Sequence, residues 1–352
     1  MRIKEILQTI ENLAPVPLQE DFDNSGLQVG DINREATAAL LSLDVTESVI
    51  DEAVSLGCNL IISHHPLAFK PFKSLTGRTY VERCMIKAIK HDIVVYAAHT
   101  NLDNASQGVN FKLAEMLGLQ QLRVLSPKKD SLLKLVTFVP ESHAGNIGNY
   151  DSCSFNLHGE GTFRANESAN PFVGNAGKLH SEKEVRIETV LPGFKQADVL
   201  RALLSVHPYE EPAYDFYPLK NDWAQVGSGV VGVLSEPIPE QEFLYLLKDV
   251  FNLPTIRHTK LQNREIHDVA LCGGAGAFLI PEAIAYGVDT FITGEARYND
   301  FYDVDSHLLL AVVGHYESEI CTKEIFSDVI SKKFPTFVVH KSAFDSNPVK
   351  YL

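Results

Sequence analysis

The chain has 352 residues, 45% hydrophobic and 22% charged, with 31 Lys+Arg against 45 Asp+Glu and a formal net charge of -14. That length predicts two domains, with room for a small third, and a core that folds without disulfides or a structural metal. The acidic balance argues against gripping a nucleic-acid backbone, which needs clustered cations, and leaves open a small anionic substrate if a metal supplies local positive charge.

Cys58, Cys84, Cys153, Cys272 and Cys321 are odd in number, widely spaced and without a C-x-x-C pair. They read as buried thiols of a reducing compartment. The N-terminal MRIKEILQTIENLAP does not read as a signal peptide. No stretch approaches the ~18 apolar residues of a membrane span. The expectation is a cytoplasmic chain.

Apolar residues at helical spacing predict a helix over 3–13, followed by a polar loop, EDFDNSGLQVG. An apolar strand over 37–44, a helix over 47–56 and a strand over 58–62 begin a β-α-β alternation. It continues with helix 79–90, strand 93–97 and helix 107–117. Near-continuous apolar strands between helices predict parallel or mixed sheets covered on both faces. After about residue 125 the pattern shifts: strand 131–140, short strands and turns over the Gly-, Asn- and Ser-rich 145–180, strand 185–191, helix 194–206, then the extended aromatic HPYEEPAYDFYPL. The alternation returns with helix 240–251, strand 267–272, GGAGAF, helix 279–286, strands 289–293 and 308–313, helix 317–333 and a terminal strand, TFVVH. The expected fold is α/β: a split domain of mixed sheets, 1–125 with 226–352, carrying an inserted α+β domain over 126–225.

Three strand ends carry residues able to bind metal. His64 and His65 follow strand 58–62; Asp103, with His99, follows strand 93–97; His315 and Glu319, spaced i, i+4, follow strand 308–313. Each has a plainer reading: surface histidines, helix capping by Asp103 or Asn104, or an acidic helix start at 315–319. Together, three imidazoles and two carboxylates exceed one tetrahedral ion and suit two ions a few Å apart, zinc, manganese, iron or nickel. Glu295 and Arg297, in TGEARYNDFYD, are candidates to touch substrate or support the site. GGAGAF resembles a phosphate-cradling turn but lacks the full G-x-G-x-x-G, and tight packing is its plainer reading. Asp23 and Asn24 either line the site or form a turn.

DNSGLQVG, ISHHPLAF, AAHTNLD, CGGAGAF, DTFITGEARYND and GHYESE, in this order, resemble the Nif-three-like family, whose members are labelled GTP cyclohydrolase 1 type 2 homologues. The resemblance spans almost the whole chain. It implies a dinuclear centre with His64, His65, Asp103, His315 and Glu319 as ligands, Glu319 bridging, two divalent ions with zinc first, and His99 as an acid/base or supporting residue. It also implies a hexameric homo-oligomeric ring. HPYEEPAYDFYPL resembles the inserted domain of longer members, ferredoxin-like and similar to PII and copper-tolerance proteins. The leading expectation is a metal-dependent hydrolase of a small anionic or nucleotide-like substrate, with His99 shuttling a proton and Arg297 steadying a phosphate. The alternative is a non-catalytic metal-binding regulator or scaffold acting through the insertion. Nucleic acid and membrane are not expected partners.

Overall fold

Successive residues of a strand face opposite ways, and that alternation organises the first sheet: Leu40, Ile61 and Val95 belong to one buried cluster, and Leu41, Ile62 and Tyr96 to another. The computed structural model describes residues 1–71, 73–139 and 153–352. Its chain divides into two compact units, Met1–Ser126 with Gln225–Leu352, and Pro127–Ala224.

The first unit is α/β with two mixed sheets. One has five strands in the order Gly26–Val29, Val94–Ala97, Leu60–Ser63, Ala39–Ser42, Val339–Lys341, parallel except for the first. The other runs Arg257–His258, Leu309–Val312, Thr290–Thr293, Glu265–Cys272, Trp223–Pro239, Gln120–Lys128. Its Leu309–Val312, Thr290–Thr293 and Glu265–Cys272 strands are parallel. The main apolar cluster joins the inner faces of both sheets to the helices Ile3–Leu13, Val109–Met116, Glu240–Val250 and Thr322–Lys333. Helices Glu47–Ser55 and Tyr80–Lys90 cover the outer face of the first sheet, and Ile280–Tyr286 that of the second. With both faces covered, the central strands are fully buried and read as unbroken apolar runs.

The second unit is a four-stranded antiparallel sheet in the order Phe155–Arg164, Leu179–Pro192, Leu132–Val139, Tyr214–Pro218, with helix Gln196–Val206 between its last two strands in sequence. Of the short strands and turns expected over 145–180, the described part has one long strand, Phe155–Arg164, then turns over 165–178, and the start of a second long strand, Leu179–Pro192; 145–152 and position 140 lie outside the described residues. Leu179–Pro192 alternates along its length, but only from Val185 onward do its inward residues become fully buried, with Val185, Ile187 and Leu191 among them. Its polar first half therefore carries no apolar signal.

Three other expectations change. The loop EDFDNSGLQVG contains the edge strand Gly26–Val29. Helix 317–333 is two helices, His315–Glu319 and Thr322–Lys333. Gln120–Lys128 and Trp223–Pro239 are strands that periodicity missed; the latter holds Gly227, Gly229, Gly232, Pro237 and Pro239 and shifts register between Val233 and Ile238.

Phe326 is fully buried in the cluster between the sheets. Phe326→Ala is expected to cost about 3–5 kcal/mol by leaving a cavity there. Urea unfolding of metal-free protein measures it, and a cost below about 1 kcal/mol would contradict this placement.

Candidate metal centre

Parallel strands of an open α/β sheet present their carboxyl ends as the place to build a site. Here two sheets do so together. Leu60–Ser63 is followed by His64 and His65, Val94–Ala97 by His99 and Asp103, and Ala39–Ser42 by Asp44. From the second sheet, Leu309–Val312 leads to His315 and Glu319, Thr290–Thr293 to Glu295, and Glu265–Cys272 to the glycine turn at 273–276.

All five residues expected as ligands come together. The Glu319 side chain is 4% exposed, and its two oxygens face different imidazoles. Oε2 lies 2.8 Å from His65 Nε2 and 3.0 Å from His315 Nε2. Oε1 lies 3.8 Å from His64 Nε2, which is 3.6 Å from Asp103 Oδ1. Two groups able to hold a cation share Glu319: His65, His315 and Glu319, and His64, Asp103 and Glu319. A third, His64, His65 and His99, adjoins them. His64 is wholly buried, and its Nε2 has no hydrogen-bond partner among the described residues.

Each of the three imidazoles around Glu319 is oriented from its Nδ1. His64 Nδ1 pairs with the Ala98 carbonyl at 2.8 Å, His65 Nδ1 with Asp44 Oδ1 at 2.7 Å, and His315 Nδ1 with Glu295 Oε1 at 2.8 Å. These contacts present Nε2 to the shared centre. Glu295, a candidate to touch substrate or support the site, thus sits behind His315. Asp44 was missed, although it ends the predicted strand 37–44, where the same strand-end rule would have found it.

Asp23 is neither a mere turn residue nor a member of the cation groups. Its buried carboxylate accepts from His99 Nδ1 at 2.8 Å, from Thr100 N at 3.0 Å and from Ser25 Oγ at 2.9 Å. His99 stands edge-on to Phe69, 5.3 Å between centroids, and 5.2 Å from the His64 ring. Arg297 is exposed, on the wall of a cavity of about 920 Å³ that His65 and His315 also line.

The glycine turn serves packing. Gly273 N donates to Asn110 Oδ1, Gly274 N to Ser318 Oγ and Gly276 N to Thr293 Oγ1, so these N–H groups are already used. Gly274 has φ +58°, and a Cβ there would stand 2.1 Å from Glu319 Oε1. Any side chain there would push that carboxylate aside.

The charges interlock. Burial opposes ionisation of Glu319, yet the surrounding His64, His315 and His65 hold its carboxyl well below the usual range. Burial also works against a charged His65, but hydrogen bonds to Asp44 and Glu319 raise it to about 10. Against the same penalty, contact with Glu319 raises His315 to about 9. Burial and the charge of Glu319 push Asp103 up to about 7. Burial also pushes up the thiols of Cys272 and Cys321, the latter to about 12, so neither is a thiolate near neutral pH.

A family model described as Duf34/NIF3 (NGG1p interacting factor 3) matches residues 1–348. The chain is 40% identical over 355 residues to a Halalkalibacterium halodurans protein named GTP cyclohydrolase 1 type 2 homolog, covering 96% of this chain and 95% of that one. It is 37% identical over 368 residues to a Bacillus subtilis protein of the same name, covering 99% and 98%. The crystal structure of a Bacillus cereus protein related to NIF3 superposes with a TM-score of 0.86 at 35% identity, covering 100% of this chain and 99% of that one.

A cation taken between His65, His315 and Glu319 displaces the protons that these imidazoles hold up to about 10 and 9. Zinc affinity is therefore expected to rise with pH from 6 to 8, with about two protons released at that position. Calorimetry in two buffers of different ionisation enthalpy counts them, and release of none would contradict this electrostatic reading. Gly274→Ala is expected to weaken zinc binding at least about 10-fold by displacing the Glu319 carboxylate, read by competition with a chelating dye.

Proposed function

The chain belongs to the Duf34/NIF3 family, and on that premise we propose that it is a metal-dependent hydrolase of a small anionic or nucleotide-like substrate. Two divalent ions would be held, one by His64, Asp103 and Glu319, the other by His65, His315 and Glu319. Zinc is the first choice for this set of imidazoles and carboxylates, with iron, manganese or nickel as alternatives. The observation that carries the reading is the Glu319 carboxylate, with its two oxygens directed at different imidazoles.

The fit has independent support at His64. Its buried Nε2 is without a hydrogen bond among the described residues, and 3.6 and 3.8 Å separate it from the carboxylates it faces. Two ligands on one tetrahedral ion, each at about 2.1 Å, stand about 3.4 Å apart. The gap is too wide for a hydrogen bond and close to the width an ion needs.

Ions bound there would supply Lewis acidity and bring the pKa of a water toward neutrality. The remaining work falls to the chain. His99, fixed through Nδ1 by Asp23, keeps Nε2 to take a proton from the attacking water or return one to the leaving group. Phe69 packs edge-on against that ring. Arg297 would hold an anionic group of the substrate at the cavity wall. Glu295 would act through His315 rather than on substrate. Among nucleotides GTP is the first to assay, because the two relatives carry a cyclohydrolase name.

The proposal extends to assembly and location: a homo-oligomer, a hexameric ring, in the cytoplasm. No helix among the described residues is long and apolar enough to cross a membrane. The second unit would be an inserted ferredoxin-like module, a reading supported by its antiparallel order, with the first strand in sequence between the fourth and the third.

Metal content by mass spectrometry on untagged protein tests the centre. The wild type is expected to hold about two ions per chain, and Glu319→Ala, which removes the residue common to both groups, about none. With metal retained, His99→Ala is expected to lower kcat on a cleaved nucleotide or phosphoester by about 10²- to 10⁴-fold. A wild type without metal, or Glu319→Ala with full metal and full activity, would refute the reading.

A further inference from the structure

The three imidazoles around Glu319 differ in what holds their Nδ1. His64 is held by the Ala98 carbonyl, part of the backbone and fixed with it. His65 is held by Asp44, a side chain that must itself be kept from turning toward solvent. Asp44 is 29% exposed, and its second oxygen, Oδ2, accepts from Ser346 Oγ at 2.6 Å.

Ser346 lies on the C-terminal segment, which is anchored on both sides of it. Upstream, Ser342 N donates to the Leu41 carbonyl, and Ala343 N and Ser342 Oγ donate to the Glu52 carboxylate. Downstream, Asn347 Nδ2 donates to Glu317 Oε1 at 3.0 Å, two residues before Glu319. The segment thus runs from the first sheet to the helix that carries His315 and Glu319. Val349 and Tyr351 beyond it line the cavity that His65 and His315 also line.

We propose that Ser346 and Asp44 are positioning residues for His65, so that the C-terminal segment completes one of the two ion positions and leaves the other untouched. The inference rests on the dinuclear reading above. The unbroken line Ser346 Oγ, Asp44 carboxylate, His65 ring, Glu319 Oε2 has steps of 2.6, 2.7 and 2.8 Å. No corresponding contact from this segment reaches His64 or Asp103 among the described residues. Losing the Ser346 hydroxyl frees the Asp44 carboxylate to rotate, and His65 loses the partner that fixes its tautomer and ring plane.

Zinc titration against a chelating dye, with ion counts by mass spectrometry after dialysis, tests this on the full chain. The wild type is expected to take two Zn²⁺. Ser346→Ala and Asp44→Asn should each keep one at wild-type affinity and bind the other about 10- to 100-fold more weakly. Ser346→Thr, which restores a hydroxyl, should recover most of the loss. Combining Ser346→Ala with Asp103→Ala should weaken both positions, which identifies the one that Ser346 serves. Metal-free Ser346→Ala should melt with the metal-free wild type, separating positioning from general damage; if it melts early, Asp44→Asn carries the test. Both single variants binding two Zn²⁺ at wild-type affinity, or losing both ions equally, would overturn the inference while the dinuclear reading stands. A wild type that takes fewer than two Zn²⁺ would overturn both.

Discussion

A carboxylate buried among imidazoles is the constraint on which the rest of the first unit depends. Glu319 is almost out of solvent, and an uncompensated charge there would cost several kcal/mol. Its compensation comes from His64 and His65 in one half of the chain and from His315 in its own turn of helix. For these groups to meet, the carboxyl ends of two separate parallel sheets must be held together. The shared cluster of Ile3, Ile6, Phe243, Ile325 and Phe326 does that, by filling the space between the sheets with helices from the start, middle and end of the chain. Neither half alone supplies the partners that Glu319 needs.

The loops meet the same demand at short range. Gly274 has a left-handed backbone and no Cβ because Glu319 Oε1 occupies that space. Asn110, Ser318 and Thr293 take up the N–H groups of the glycine turn, which fixes the turn beside the carboxylate. A sequence that resembles a phosphate cradle is here a buttress, and the difference lies in where its N–H groups point.

Much of this was legible in the sequence. The buried parallel strands announce themselves as unbroken apolar runs, and the strand-end rule picks out His64, His65, Asp103, His315 and Glu319 from the sequence alone. Their convergence is a tertiary fact: His65 and Glu319 are 254 positions apart, and spacing says nothing about such a pair. The orienting partners were harder for a second reason. Ala98 acts through its carbonyl, which no side-chain motif marks, and Asp44 reads as an ordinary strand-end acid until Ser346 is seen against it. The strand Trp223–Pro239 escaped because glycine and proline interrupt it, and the first half of Leu179–Pro192 because its polar residues carry no apolar signal.

The charge balance of the centre follows from these contacts and gives it groups able to hold a cation. Asp23, Asp44, Asp103, Glu295 and Glu319 gather around His64, His65, His99 and His315, so carboxylates outnumber imidazoles. Without a cation, protons offset part of that negative charge, which is why His65 and His315 hold theirs far above the ordinary imidazole range and why Asp103 ionises reluctantly. Those protons are stand-ins. A cation between His65, His315 and Glu319 would supply the same positive charge while leaving those two imidazoles neutral, and a cation beside His64 would satisfy the Nε2 that the proton arrangement leaves without a partner among the described residues. The net charge of -14 acts in the same direction, since an acidic chain concentrates cations near its surface.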